Sequence, residues 1–84
     1  MPYSAERIST LSTQQVEDLV STSLRELARR ADPQAFQSLL AVSGEVGVCL
    51  GASARLLAES GSWSQVAEMS GTTKQAAWSR WAQH

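Results

Sequence analysis

Apolar residues recur every three or four positions along most of this chain, which is the period of helices and not of strands. Over 11–30, Val16, Leu19, Val20, Leu24, Leu27 and Ala28 form one stripe, with Glu17, Asp18, Arg25, Glu26 and Arg29 mainly off it. Ser12 followed by Gln15 makes a capping box, and Leu11 with Val16 a hydrophobic staple over it. Arg29 and Arg30 suit the negative pole at the helix end. They are candidate phosphate contacts, although charges on a solvated helix end are the more common use of such a pair.

Asp32-Pro33 predicts the next start, since Asp caps and Pro tolerates the first helical position. The helical period then continues over 33–59 through Phe36, Leu39, Leu40, Val46, Leu50 and Leu57. One helix of that length would span roughly 40 Å. Gly44, Gly47 and Gly51 each cost up to about 1 kcal/mol inside it, so a break near 44–47 is the alternative. If the helix persists, Ser43, Gly47 and Gly51, spaced by four, make a strip where a second backbone can approach closely. That strip would seat the preceding helix or its own copy in a second chain. Little of 42–50 is polar apart from Glu45, and a segment apolar nearly all round is normally covered on more than one side. Val42, Ser43, Val46, Gly47, Leu50 and Gly51 are therefore the candidate homodimer interface.

Ser60-Gly61 predicts a helix stop, with Gly61 as the terminating residue. Ser62 then caps a two-turn helix over 63–70. Gly71 supplies a left-handed turn residue, and Thr72 or Thr73 caps a last helix from Lys74 to about Ala82. Ala67, four before Gly71, is small where two helices would cross. Ser62, Trp63, Val66, Ala67, Gly71, Thr73, Lys74, Gln75, Ala76, Ala77, Trp78, Arg80 and Trp81 fall on one pattern without a gap. With them, 62–81 resembles the helix-turn-helix of small actinobacterial-type DNA-binding proteins, over about a quarter of the chain, most specifically in the KQAAW run. Ser70 and Thr72 depart from it, standing where Leu and Val pack under the turn. A looser turn, or one completed by a partner, is expected.

The resemblance implies that the second motif helix lies in the major groove of double-stranded DNA. By motif position, Thr73, Lys74, Gln75 and Ser79 would meet base edges. Lys74 would donate to guanine and Gln75 would pair with adenine. Ser62, Ser64 and Gln65, at a helix N-terminus with free N–H groups, would reach phosphate, as would Arg80. Trp63 and Trp81 are expected in the core. Trp78, four after Lys74, is expected on the outward side, against DNA or a neighbouring subunit.

Composition narrows the function. The net charge is −1, low for a DNA binder. Residues 62–84 hold Lys74 and Arg80 against Glu68, while 1–61 hold five arginines against seven acids, so the motif is the weakly positive end. Dimerisation would double it. Cys49 is the sole cysteine and His84 the sole histidine, so no zinc signature, internal disulfide or catalytic cluster is present. The glycines follow no strand, so a phosphate-cradling loop is not expected. No enzyme, cofactor, metal or small-molecule substrate is expected. No apolar run reads as membrane-spanning and no secretion signal is seen, so a cytoplasmic, nucleoid-associated location is expected. Residues 1–10 read as an arm or short helix.

The expectation is one all-α domain: scaffold and dimerisation helices over 11–60, then a wingless helix-turn-helix over 62–82. It would bind specific DNA as a homodimer, most simply as a transcriptional regulator, with a nucleoid or partition role on the same surface. The rival is a helical adaptor that docks a second protein through Trp78 and the Gly47/Gly51 face.

Overall fold

Every helix in the chain begins where the sequence supplies a side-chain acceptor for its first free N–H groups. In the computed structural model, which describes residues 4–83, Ser4 starts α1 (Ala5–Ser9) and Ser12 starts α2 (Thr13–Arg29). The Ser12 capping box is complete: Oγ accepts from Gln15 N at 3.1 Å, and Gln15 Oε1 accepts from Ser12 N at 2.9 Å. Asp32 Oδ1 accepts from Ala35 N at 2.7 Å at the head of α3 (Pro33–Ser60). Ser62 and Thr73 cap α4 (Trp63–Ser70) and α5 (Lys74–Trp81). The architecture is all-α, with no strand among the described residues. Of the arm or short helix expected over 1–10, residues 5–9 form the short capped helix, while Met1, Pro2 and Tyr3 lie outside the described residues.

α3 runs unbroken through Gly44, Gly47 and Gly51, so the two-helix alternative does not hold. Beyond the adjoining backbone of α3 itself, no atom lies within 4 Å of a Cβ built at Gly44 or Gly47. Nothing within the chain therefore requires glycine at those two positions. Gly44→Ala is expected to raise stability by about 1 kcal/mol, through helix propensity alone; an upward shift in the urea midpoint at unchanged slope would report it.

α3 is also long and apolar enough to cross a membrane by length and composition, contrary to the sequence reading. Polar and small residues interrupt its apolar run, whereas mean hydropathy averages over them. Two features argue against a span. Glu45 lies within it, and a carboxylate there is costly in hydrocarbon. Gly51 and Ala54 are buried by the chain itself.

The chain divides into two units, Met1–Ala41 and Val42–His84. In the first, Ala35 is the buried residue, and α2 buries none of its own. At the end of α2, Glu26 binds both Arg29 Nη2 at 2.6 Å and Arg30 Nε at 2.9 Å. The hydrogen bonds from Arg29 and then Arg30 hold the Glu26 carboxyl below its usual range, and Glu26 raises the Arg30 guanidinium. This stabilisation is present at neutral pH and fades as acid protonates Glu26. It is small, because all three groups are solvated.

In the second unit, Ala54, Val66, Ala67 and Ala77 form the core, flanked by Ala58, Trp63 and Trp81. Small side chains dominate where α4 packs closely on α5 and Ala54 of α3 completes the cluster, with the tryptophans at its edges. Arg55 Nη1 donates to the Trp81 carbonyl at 2.9 Å, tying the end of α5 to α3. The cation also sits at the negative end of the α5 dipole.

Candidate nucleic-acid interface

α4 and α5 meet through a tight, fully bonded turn. Gly71 is the one described residue with positive φ, at φ 71° and ψ 32°. Gly71 N donates to Glu68 O at 3.3 Å and Thr72 N to Ala67 O at 3.0 Å, the paired bonds of a Schellman stop. Gly71→Ala meets no atom but must hold a left-handed backbone. It is expected to cost about 1–2 kcal/mol, read as a fall in melting temperature with the helical spectrum retained below it.

Gly61 works differently. Its φ is not positive, and its N–H still donates to Leu57 O at 2.9 Å, so it is not the left-handed stop that the sequence led us to expect. What it provides is room, because a Cβ there would collide with the Gln65 side chain. Gln65 is thus folded toward Gly61, away from the phosphate role assigned from sequence.

The turn departures are resolved locally. Ser70 Oγ donates to Val66 O at 2.7 Å, so the hydroxyl is satisfied by its own helix. It does not fill the space that a leucine would. Beside it lies an apolar groove of about 290 Å³, lined by Leu50, Leu57, Val66, Met69 and Trp81 among others.

α5 buries a single residue, Ala77, with 0% exposure. At about 100° per residue, the positions most nearly opposite Ala77 are Gln75 and Ser79. Both are exposed and form the crest. Ala76 and Trp78 are the shoulders; Lys74 and Arg80 sit lower, one on each side. The sequence reading did not single out Ala76, because the Ala76-Ala77 pair does not announce which member faces inward. Thr73 Oγ1 accepts from Ala76 N at 3.1 Å, and Ser62 Oγ accepts from Gln65 N at 3.2 Å. Each hydroxyl hydrogen is left to donate outward. Ser64 is exposed in the first turn of α4.

Several residues stand differently from expectation. Trp78 is 48% exposed, but it is on a shoulder and lines an open cleft with Trp63, Arg55 and Glu59. Its spacing from Lys74 placed it on the outer face; the helix turns it back by a quarter turn. Arg80 is not fully extended into solvent, because its guanidinium lies 5.3 Å from the Trp81 ring centroid. Arg29 and Arg30 are engaged by Glu26 rather than free for phosphate. Trp63 and Trp81 pack against the core as expected. Of the dimer candidates, Ser43, Val46, Gly47 and Leu50 are exposed and Val42 half-buried. Gly51 is instead covered by its own chain: a Cβ there would lie 3.2 Å from Arg55 Nη1 and 3.8 Å from Trp81 Cδ1. Arg55, to which the sequence assigns no role, ties the end of α5 to α3 through the Trp81 carbonyl. His84 lies outside the described residues.

No protein-family model matches the chain, and comparison with curated proteins and with solved structures finds no match. The functional reading therefore rests on the residues themselves.

Proposed function

We propose that the protein binds specific double-stranded DNA as a homodimer, with α5 in the major groove, and regulates transcription. The observation that carries this is the distribution of side chains on α5. A crest of Gln75 and Ser79 stands opposite buried Ala77, with a cation on each flank. Gln75 can pair with an adenine edge, and the Ser79 hydroxyl with several bases. Lys74 and Arg80 face the two sides of a groove, where phosphates lie. Thr73 and Ser62 add hydroxyl donors at two helix starts. The unpartnered Val46 and Leu50 on α3 favour a second copy, which would double a weakly charged surface. A two-fold pair would place its recognition helices about 34 Å apart, one turn of DNA.

A protein-docking adaptor is the second reading. The apolar groove beside Ser70 favours it, with Met69 66% exposed at the rim. Titration of the protein against genomic DNA fragments at two salt concentrations separates the readings. Retention of one fragment class at the higher salt supports DNA reading; uniform loss at both supports the adaptor.

A further inference from the structure

Among the described residues of the N-terminal unit, Met1–Ala41, Ala35 alone is fully buried. A unit of about 40 residues rarely holds without disulfides, a metal or an oligomeric partner. The sequence has one cysteine, Cys49, outside this unit. Among the described residues no cluster of His, Cys, Asp or Glu could hold a metal. Yet α2 is 17 residues long and amphipathic with no fully buried residue, while Phe36 and Leu40 in the first turns of α3 are 63% and 59% exposed. Most of the stability of such a helix comes from packing its amphipathic face rather than from propensity.

We propose that this face is the principal dimerisation surface, and that its occupant is α2 of a second copy, packed antiparallel. The inference deepens the homodimer of the proposed function and moves most of its contact from α3 to α2.

Three observations point to a second copy. The first is symmetry. The stripe runs Val16, Leu19, Val20, Leu24, Leu27 and Ala28, with Ser23 beside it. A reversed copy centred between Ser21 and Thr22 sets Val16 against Leu27, Leu19 against Leu24 and Val20 against Ser23, and leaves Ala28 at the end of the seam opposite Gln15. Second, the seam is already chemically closed. Ser23 Oγ donates to Leu19 O at 2.9 Å, so burying it orphans no donor. Glu26, at the edge, is neutralised by Arg29 and Arg30 of its own helix, so the face asks for no charged partner. The third is area. Val20, Phe36 and Leu40 are 46%, 63% and 59% exposed, and Val16, Leu19, Leu24 and Leu27 keep a smaller exposed share. Covering what remains exposed on these seven would supply a large part of the apolar area of a standard interface, about 450 of 800 Å² per partner.

The test uses the full chain without DNA. Light scattering and thermal melts are recorded over a roughly hundred-fold concentration range. A dimer mass and a melting temperature that rises with concentration are expected. Val20→Ala with Leu24→Ala keeps good helix formers and should weaken the dimer by about 100-fold or more. Ser23→Leu fills the seam and should tighten it. The counterpart pair Val46→Ala with Leu50→Ala should have the smaller effect. A monomer with a concentration-independent melt overturns the proposal. So does a dimer lost through Val46 and Leu50 but indifferent to Val20, Leu24 and Ser23; that result leaves a dimeric DNA binder intact, whereas failure of DNA reading appears only in the fragment titration.

Discussion

Gln75→Ala is expected to lower affinity for the retained DNA fragment by about 1–3 kcal/mol, roughly five- to 150-fold, and to change unrelated fragments little. Its neighbour should behave differently. Lys74 stands on the flank of α5, so Lys74→Ala should weaken all fragments alike and reduce the salt slope by about one for each copy in contact. Both side chains are exposed, so neither change should alter the dimer mass or the helical spectrum. Electrophoretic mobility or anisotropy titrations at several salt concentrations read both quantities. Equal, sequence-independent losses for the two variants would mean that Gln75 touches backbone rather than bases. No loss for either would remove α5 from the interface.

The larger structural effect is expected at Ala77. It has no exposed surface, at the point where α5 meets the core of Ala54, Val66 and Ala67. Leucine adds three carbons at a fully covered position where α5 packs on α4. Overpacking of this kind costs about 1–3 kcal/mol in a robust core. Here the surrounding core is built from small side chains and has little stability in reserve. Ala77→Leu should therefore release α5, shift tryptophan emission to the red and abolish DNA binding. All three tryptophans lie in the same unit, so fluorescence reports on it selectively. Ala76→Leu is the control: one residue earlier and exposed, it should change stability by less than about 0.5 kcal/mol.

Local chemistry was legible in the sequence where a single residue type has one strong use. The Ser12–Gln15 box, the Asp32-Pro33 start, the Ser62 cap and the left-handed Gly71 each appear where expected, because capping depends on neighbours three residues away. Direction was less legible. Trp78 looked outward from its spacing to Lys74, yet the buried axis of α5 is set by Ala77, and Ala76-Ala77 gave no sign of which alanine that would be. Gly51 looked like part of an open strip, but Arg55 and Trp81 close over it, a contact between residues 26–30 positions apart in the chain. Long-range closure of this kind leaves no periodic signature. Nor does the sequence separate a helix with three glycines from two shorter ones. Propensity favoured a break, and the continuous apolar run of α3 outweighed it.

The most direct measurement is a set of amide spectra of the labelled protein, recorded as the shortest fragment retained at high salt is added. The account predicts perturbations concentrated on residues 73–79 and the first turn of α4, with saturation at one duplex per two chains. Perturbations confined to the groove around Leu57 and Met69, or no fragment retained to add, would contradict it.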